Sequence, residues 1–150
     1  MTQTHRRPAQ AGFTLIEILI VIGIIAILAA IVLVAVNPAK QFQKANDAQR
    51  SSNVNAILNA VGQYMVDHQG TIPSEITTTA QDISNGGANI CSVLTPDYLA
   101  ALPGDPTDGS SQSITSCTTY NTGYQIKKDS NNRITVTAPH AQNGTISVTR

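Results

Sequence analysis

Charge is scarce in this chain. Asp, Glu, Lys and Arg make up 12% of its 150 residues, against 41% hydrophobic, and the formal net charge is zero. Soluble domains carry about 25% charged residues, so an ordinary soluble globular domain is not the expectation. The bases are unevenly placed. Residues 1–12 hold Arg6 and Arg7 and no acid, which leaves seven bases against nine acids in the remainder. Six acids and no Lys or Arg lie between Asp67 and Asp108, which argues against nucleic acid as a partner of that region. Tryptophan is absent, and the polar part is poor in aromatics. The length allows a small head with one long element, but not a large enzyme core.

Catalytic patterns are missing too. The three histidines, His5, His68 and His140, have no Cys, His or carboxylate at metal-ligand spacing. No GxSxG, P-loop, HExxH or strand-borne GxGxxG occurs, so the expectation is no enzyme and no cofactor. Asp97, Asp105 and Asp108 lie near one turn. Clustered carboxylates suit Ca²⁺, but the spacing is not an EF-hand loop, and a solvated acidic loop is the favoured reading. The only cysteines, Cys91 and Cys117, fit neither a CxxC redox site nor a zinc knuckle. In a small head outside the cytoplasm they are expected to pair.

The dominant feature is apolar. Phe13–Val36 has one charge, Glu17, and Ile18–Val36 has none. As a helix this run spans roughly 36 Å, enough to cross a bilayer. It is too long for the core of a secretory signal peptide, and no small-residue cleavage site stands near Val36. Arg6 and Arg7 favour an N-in, C-out orientation, although Lys40, Lys44 and Arg50 follow the run.

Asn37-Pro38 then reads as a helix start or a kink. From Pro38 to about Gln69, Phe42, Ala45, Ala48, Val54, Ile57, Leu58, Val61, Tyr64 and Met65 recur in steps of three and four. This predicts an amphipathic helix stopped by Gly70. If the two helices were nearly continuous they would make a rod of roughly 85 Å. Residues 71–90 read as a long loop, and Thr95-Pro96 as the start of a short helix over Asp97–Leu102. From Tyr124 the period becomes two. Tyr124 and Ile126, then Ile134, Val136 and Ala138, then Ile146 and Val148 predict a three-stranded antiparallel meander, with turns at Asp129–Asn132 and Asn143-Gly144. The predicted fold is α+β: a long N-terminal helix whose second half packs Ile57, Val61, Tyr64 and Met65 on a small sheet.

Ala11-Gly12-Phe13-Thr14-Leu15-Ile16-Glu17, after a basic leader and before the apolar run, closely resembles the N-terminal signature of type IV prepilins and pseudopilins. The resemblance implies a division into leader 1–12, membrane and assembly helix 13–36, amphipathic helix 37–69 and extracellular head 70–150. It implies cleavage after Gly12 by a prepilin peptidase and methylation of Phe13. It also implies that Glu17 pairs with a neighbouring subunit's N-terminus. Its implied partners are other copies of the chain, minor pilins, the peptidase and a membrane assembly platform. Its implied locations are the cytoplasmic membrane, then a cell-surface or periplasm-spanning filament. The stretch Tyr98-Leu99, Leu102-Pro103, Asp105-Pro106 and Gly109 is similar to a stretch of major pseudopilins near which oxygens bind calcium.

Two departures stand out. Pro38 comes a few residues later than the family's helix proline, and the aromatic-rich tail of many secretion pseudopilins is missing. The leading expectation is a subunit of a type IV pilus-like filament serving adhesion or motility. The alternatives are a pseudopilin of a type II secretion or DNA-uptake machine, or a single-pass anchored binding module.

Overall fold

Leu15–Val36 forms one unbroken helix of 22 residues, α1, in the computed structural model, which describes residues 12–108 and 113–150. Of the expected leader, only Gly12 lies within the described residues. None of the α1 side chains is buried. An 18-residue stretch of it has a mean hydropathy of 3.5, and by length and composition the helix can cross a membrane. Burying one large aliphatic side chain is worth about 1.5–3 kcal/mol, so this exposed surface calls for an apolar medium. At its C-terminal end Asn37 turns left-handed, with φ 42°.

The unit from Ala39 onward is built on α2, Pro38–Asp67. Pro38 takes the first helical position, where its missing N–H costs nothing. The helix ends at Asp67, two residues before the expected end at Gln69. Gln69 adopts φ 56°, and the Gly70 N–H reaches back to the Met65 carbonyl at 2.7 Å. That six-to-one bond satisfies an orphan carbonyl of the last turn.

The buried face of α2 differs from the expected one. Val54, Ile57, Leu58, Ala60 and Val61 are buried, and Tyr64 and Met65 pack half-buried against them. In the first turns, however, Ala45 and Ala48 are exposed, and Phe42 is 71% exposed. Arg50 and Asn53 continue the buried stripe instead. They point inward because they find buried polar partners in the head, which a hydrophobicity pattern cannot reveal.

The main sheet has four antiparallel strands in the order β1 (Gln81–Ser84), β4, β5 and β6. β4 is Asn121–Lys128, β5 Ile134–Ala138 and β6 Ile146–Thr149. These are the expected meander. Tyr124, Ile126, Ile134, Val136 and Ala138 turn inward to one core with the α2 residues, while Thr135, Thr137, Ser147 and Thr149 pair across the outer face.

Four local readings change. Within the expected loop 71–90, Gln81–Ser84 forms edge strand β1 on β4. It has one inward apolar residue, Ile83, so pairing rather than pattern makes it a strand. Gly87 is needed beside it, because a Cβ there would lie 2.3 Å from the Asp82 carbonyl oxygen. The short helix α3 is Cys91–Leu94, not Asp97–Leu102. Thr95 precedes proline and is extended, as a pre-proline residue prefers, while Leu102–Pro103 forms β2 and pairs with Ser113–Ile114, β3. Lastly, β5 and β6 are joined by the whole segment 139–145 rather than by a tight Asn143-Gly144 turn.

Cys91 and Cys117 form the disulfide, with Cα atoms 5.5 Å apart. It ties α3 to the segment after β3. A bridge over a separation of 26 residues is worth roughly 3–4 kcal/mol in the chain-entropy account. Cys91→Ser is therefore expected to lower the head's melting temperature and the steady-state level of the protein. Thermal unfolding of the purified full-length chain checks this, and an unchanged transition would show that the bridge is dispensable.

Candidate functional site

The first candidate site lies at the start of α1. Phe13 is 86% exposed. Thr14 is extended, with φ −81° and ψ 152°, and caps the helix. Its hydroxyl accepts the Glu17 N–H at 3.2 Å. In return Glu17 Oε2 accepts the Thr14 N–H at 2.8 Å and the Thr14 hydroxyl at 2.7 Å. This is a complete capping box, in which the two residues satisfy each other's orphan donors. Oε1 accepts nothing among the described residues. The carboxylate is thus folded back over the first turn, although plain helix spacing would set it about 6 Å along the axis. Gly12 has open space where a Cβ would be. Nothing in the described structure needs glycine there.

The second candidate site is a charged cluster at the N-terminal part of α2. Arg50 is fully buried. Its Nε donates to Asp105 Oδ2 at 2.7 Å and its Nη2 to Asp105 Oδ1 at 3.0 Å, a bidentate pair. Nη2 also reaches the Thr107 hydroxyl at 2.5 Å, and Nη1 reaches Asp47 Oδ1 at 2.9 Å. Asp47 in turn accepts the successive backbone N–H groups of Gln142 and Asn143 and the Asn143 side-chain amide. Asn53 adds bonds to the Gly104 carbonyl and the Tyr124 hydroxyl. One helical face therefore holds the loops 104–108 and 139–145. Gly123, at φ 74°, lets the first loop close in, because a Cβ there would lie 2.8 Å from Asp105 Cβ.

Both acids of the cluster stay ionised well into acid. Burial works to raise the Asp47 carboxyl. The Gln142 N–H, both Asn143 donors and Arg50 outweigh it and hold it at about 2. Asp105 is likewise opposed by burial and lowered by Arg50 and Thr107.

The three acids singled out for calcium are not one site. Both Asp105 oxygens are taken up by Arg50. Asp108 lies 3.6 Å from His140. Asp97 lines a separate open groove with Tyr98, Met65 and Gly70. Among the described residues, no group of three or more His, Cys, Asp or Glu is placed to hold a metal ion. His68 stacks on Tyr64 with centroids 3.9 Å apart. Arg50, Asp47 and Asn53 were missed from sequence. Their only signal was three-and-four spacing in register with Val54 and Ile57, on residue types that normally face water.

A family model described as a prokaryotic N-terminal methylation motif, the signature of type IV pilins and pseudopilins, matches residues 7–33. No curated protein and no solved structure matches the chain. The motif and the apolar helix together support a membrane-anchored precursor of the pilin or pseudopilin type, and a structural role.

Removing one member of a buried ion pair leaves the other charge stranded, at a cost of about 3–5 kcal/mol. Arg50→Met is therefore expected to destabilise the head by that order, measured by denaturant unfolding of the full chain. A shift below about 1 kcal/mol would mean that water reaches Asp105.

The pH dependence has a definite sign. A carboxyl lowered from 3.8 to about 2 contributes stability that is complete above its unfolded value and is lost as pH falls through its folded value. Stability should thus decline between about pH 4 and pH 2 as Asp47 protonates. Asp47→Asn should flatten that decline. Acid titrations of the two proteins, followed by circular dichroism, compare them directly.

Proposed function

We propose that the chain is the structural subunit of a type IV pilus-like filament. It is made as a single-pass precursor oriented N-in and C-out. A prepilin peptidase cuts after Gly12, and the new N-terminal residue, Phe13, is methylated. An assembly platform then moves α1 from lipid into the filament core beside other copies and minor pilins. The observation that carries this reading is an exposed helix, apolar but for one carboxylate in its first turn, that begins inside the methylation signature. In the membrane the lipid covers that surface, and in the filament neighbouring helices do. Contacts that repeat head-to-tail without closing generate a filament. Glu17 meets the N-terminal amine of a neighbour. In a low-dielectric core that attraction is far stronger than in water, although desolvation offsets part of it. Gly12 fits the same reading, since glycine there serves no need of the described fold and is available to an outside reader such as the peptidase.

A pilus is preferred over a secretion or DNA-uptake pseudopilus because the outer face of the head's sheet is a Ser and Thr surface suited to solvent. One observation favours a plain anchored binding module instead: Glu17 already serves as a helix cap within a single chain.

Substitutions at Glu17 separate the two. Gln keeps a capping box but removes the charge. On the filament reading, Glu17→Gln and Glu17→Val leave insertion and cleavage intact but abolish or strongly reduce filaments, and Glu17→Asp is intermediate. The measurements are filament counts by electron microscopy and the N-terminus by mass spectrometry, which should begin at modified Phe13. Normal filaments from Glu17→Gln, or residues 1–12 still present on assembled protein, would overturn it.

A further inference from the structure

We infer that Thr14 is a positioning residue for assembly, holding the Glu17 carboxylate ready for the incoming amine. This rests on the filament reading above and concerns how its charged contact is prepared. The geometry is specific. Both Thr14 donors, the N–H and the hydroxyl, converge on Oε2 at 2.8 and 2.7 Å. The same hydroxyl accepts the Glu17 N–H. The side chain is therefore held at both ends, and Oε1 is left without a partner among the described residues. An ammonium group from another copy can take Oε1 without breaking the cap. A carboxylate already fixed in place loses less freedom when it binds, which strengthens the contact without adding a new one. Two donors on Oε2 also stabilise the charge while it waits in an apolar surrounding. Thr14 touches no partner itself on this account and acts through Glu17.

The test uses the full-length chain expressed in cells with its processing machinery. The readouts are the fraction of subunits in sheared filaments and the N-terminal mass. Thr14→Val keeps the shape and loses the hydroxyl. It should be cleaved normally while its assembled fraction falls several-fold. Thr14→Ser keeps the hydroxyl and should assemble close to wild type. The decisive comparison is made on Glu17→Asp, whose shorter side chain cannot close the box. There Thr14→Val should cause no further loss, whereas a residue that merely stiffens the helix end would lower assembly in both backgrounds. Unchanged or increased assembly in Thr14→Val overturns the inference, and so does an equal further loss on Glu17→Asp. Failure of Thr14→Val to be cleaved would place Thr14 in peptidase recognition and overturn it as well. If the wild-type chain is cleaved but makes no filaments, the filament reading itself falls, and this inference with it.

Discussion

An apolar helix of 22 residues with no buried side chain is the constraint on which the rest of this protein depends. Apart from Glu17, every large side chain from Leu15 to Val36 presents hydrocarbon, and none is buried among the described residues. Water is the wrong solvent for such a surface, because each exposed aliphatic forgoes about 1.5–3 kcal/mol of burial. Two surroundings meet the need, lipid and a bundle of like helices. A protein that uses both in turn needs a helix that is apolar on all sides rather than on one stripe. The backbone accepts this readily, since a helix satisfies its own N–H and C=O groups except at the ends.

Those ends are where polarity reappears. At the N-terminal end Thr14 and Glu17 close a capping box. One carboxylate thereby meets two needs, accepting from an orphan backbone donor and holding a negative charge near the positive end of the helix dipole. At the C-terminal end Asn37 takes a left-handed conformation, which asparagine tolerates better than most residues. Pro38 then opens the next helix from the position where proline is most at home.

The head solves a separate problem. It is small, and α2 enters it with polar residues on the inward face. Arg50 could be buried only because Asp105, Asp47 and Thr107 meet its donors. No buried side-chain polar atom lacks a hydrogen bond among the described residues. The cluster fixes the loops 104–108 and 139–145 to the helix, work that apolar packing does farther along α2 through Ile57 and Val61. The disulfide completes the head by holding α3 against the segment that follows β3.

The signature, the membrane-length helix, the pairing of the two cysteines and the three-stranded meander were all legible in the sequence. Each depends on local order: a contiguous string, an unbroken apolar run, a count of two thiols, or alternation with period two. The sequence reading singled out Glu17 but not its capping box with Thr14, although the two residues are only three apart. What tertiary structure decided was long-range. β1 is a strand because β4 offers it an edge, and four residues with one apolar side chain carry no period of their own. Helix α3 falls at Cys91–Leu94 because the core takes Cys91 and Leu94 and the residue before Pro96 must extend. Arg50 is buried because Asp105 lies 55 positions away in the chain yet within 2.7 Å in space. Spacing along the sequence reports which residues share a face, but not whether a partner across the fold makes burial of a charge tolerable.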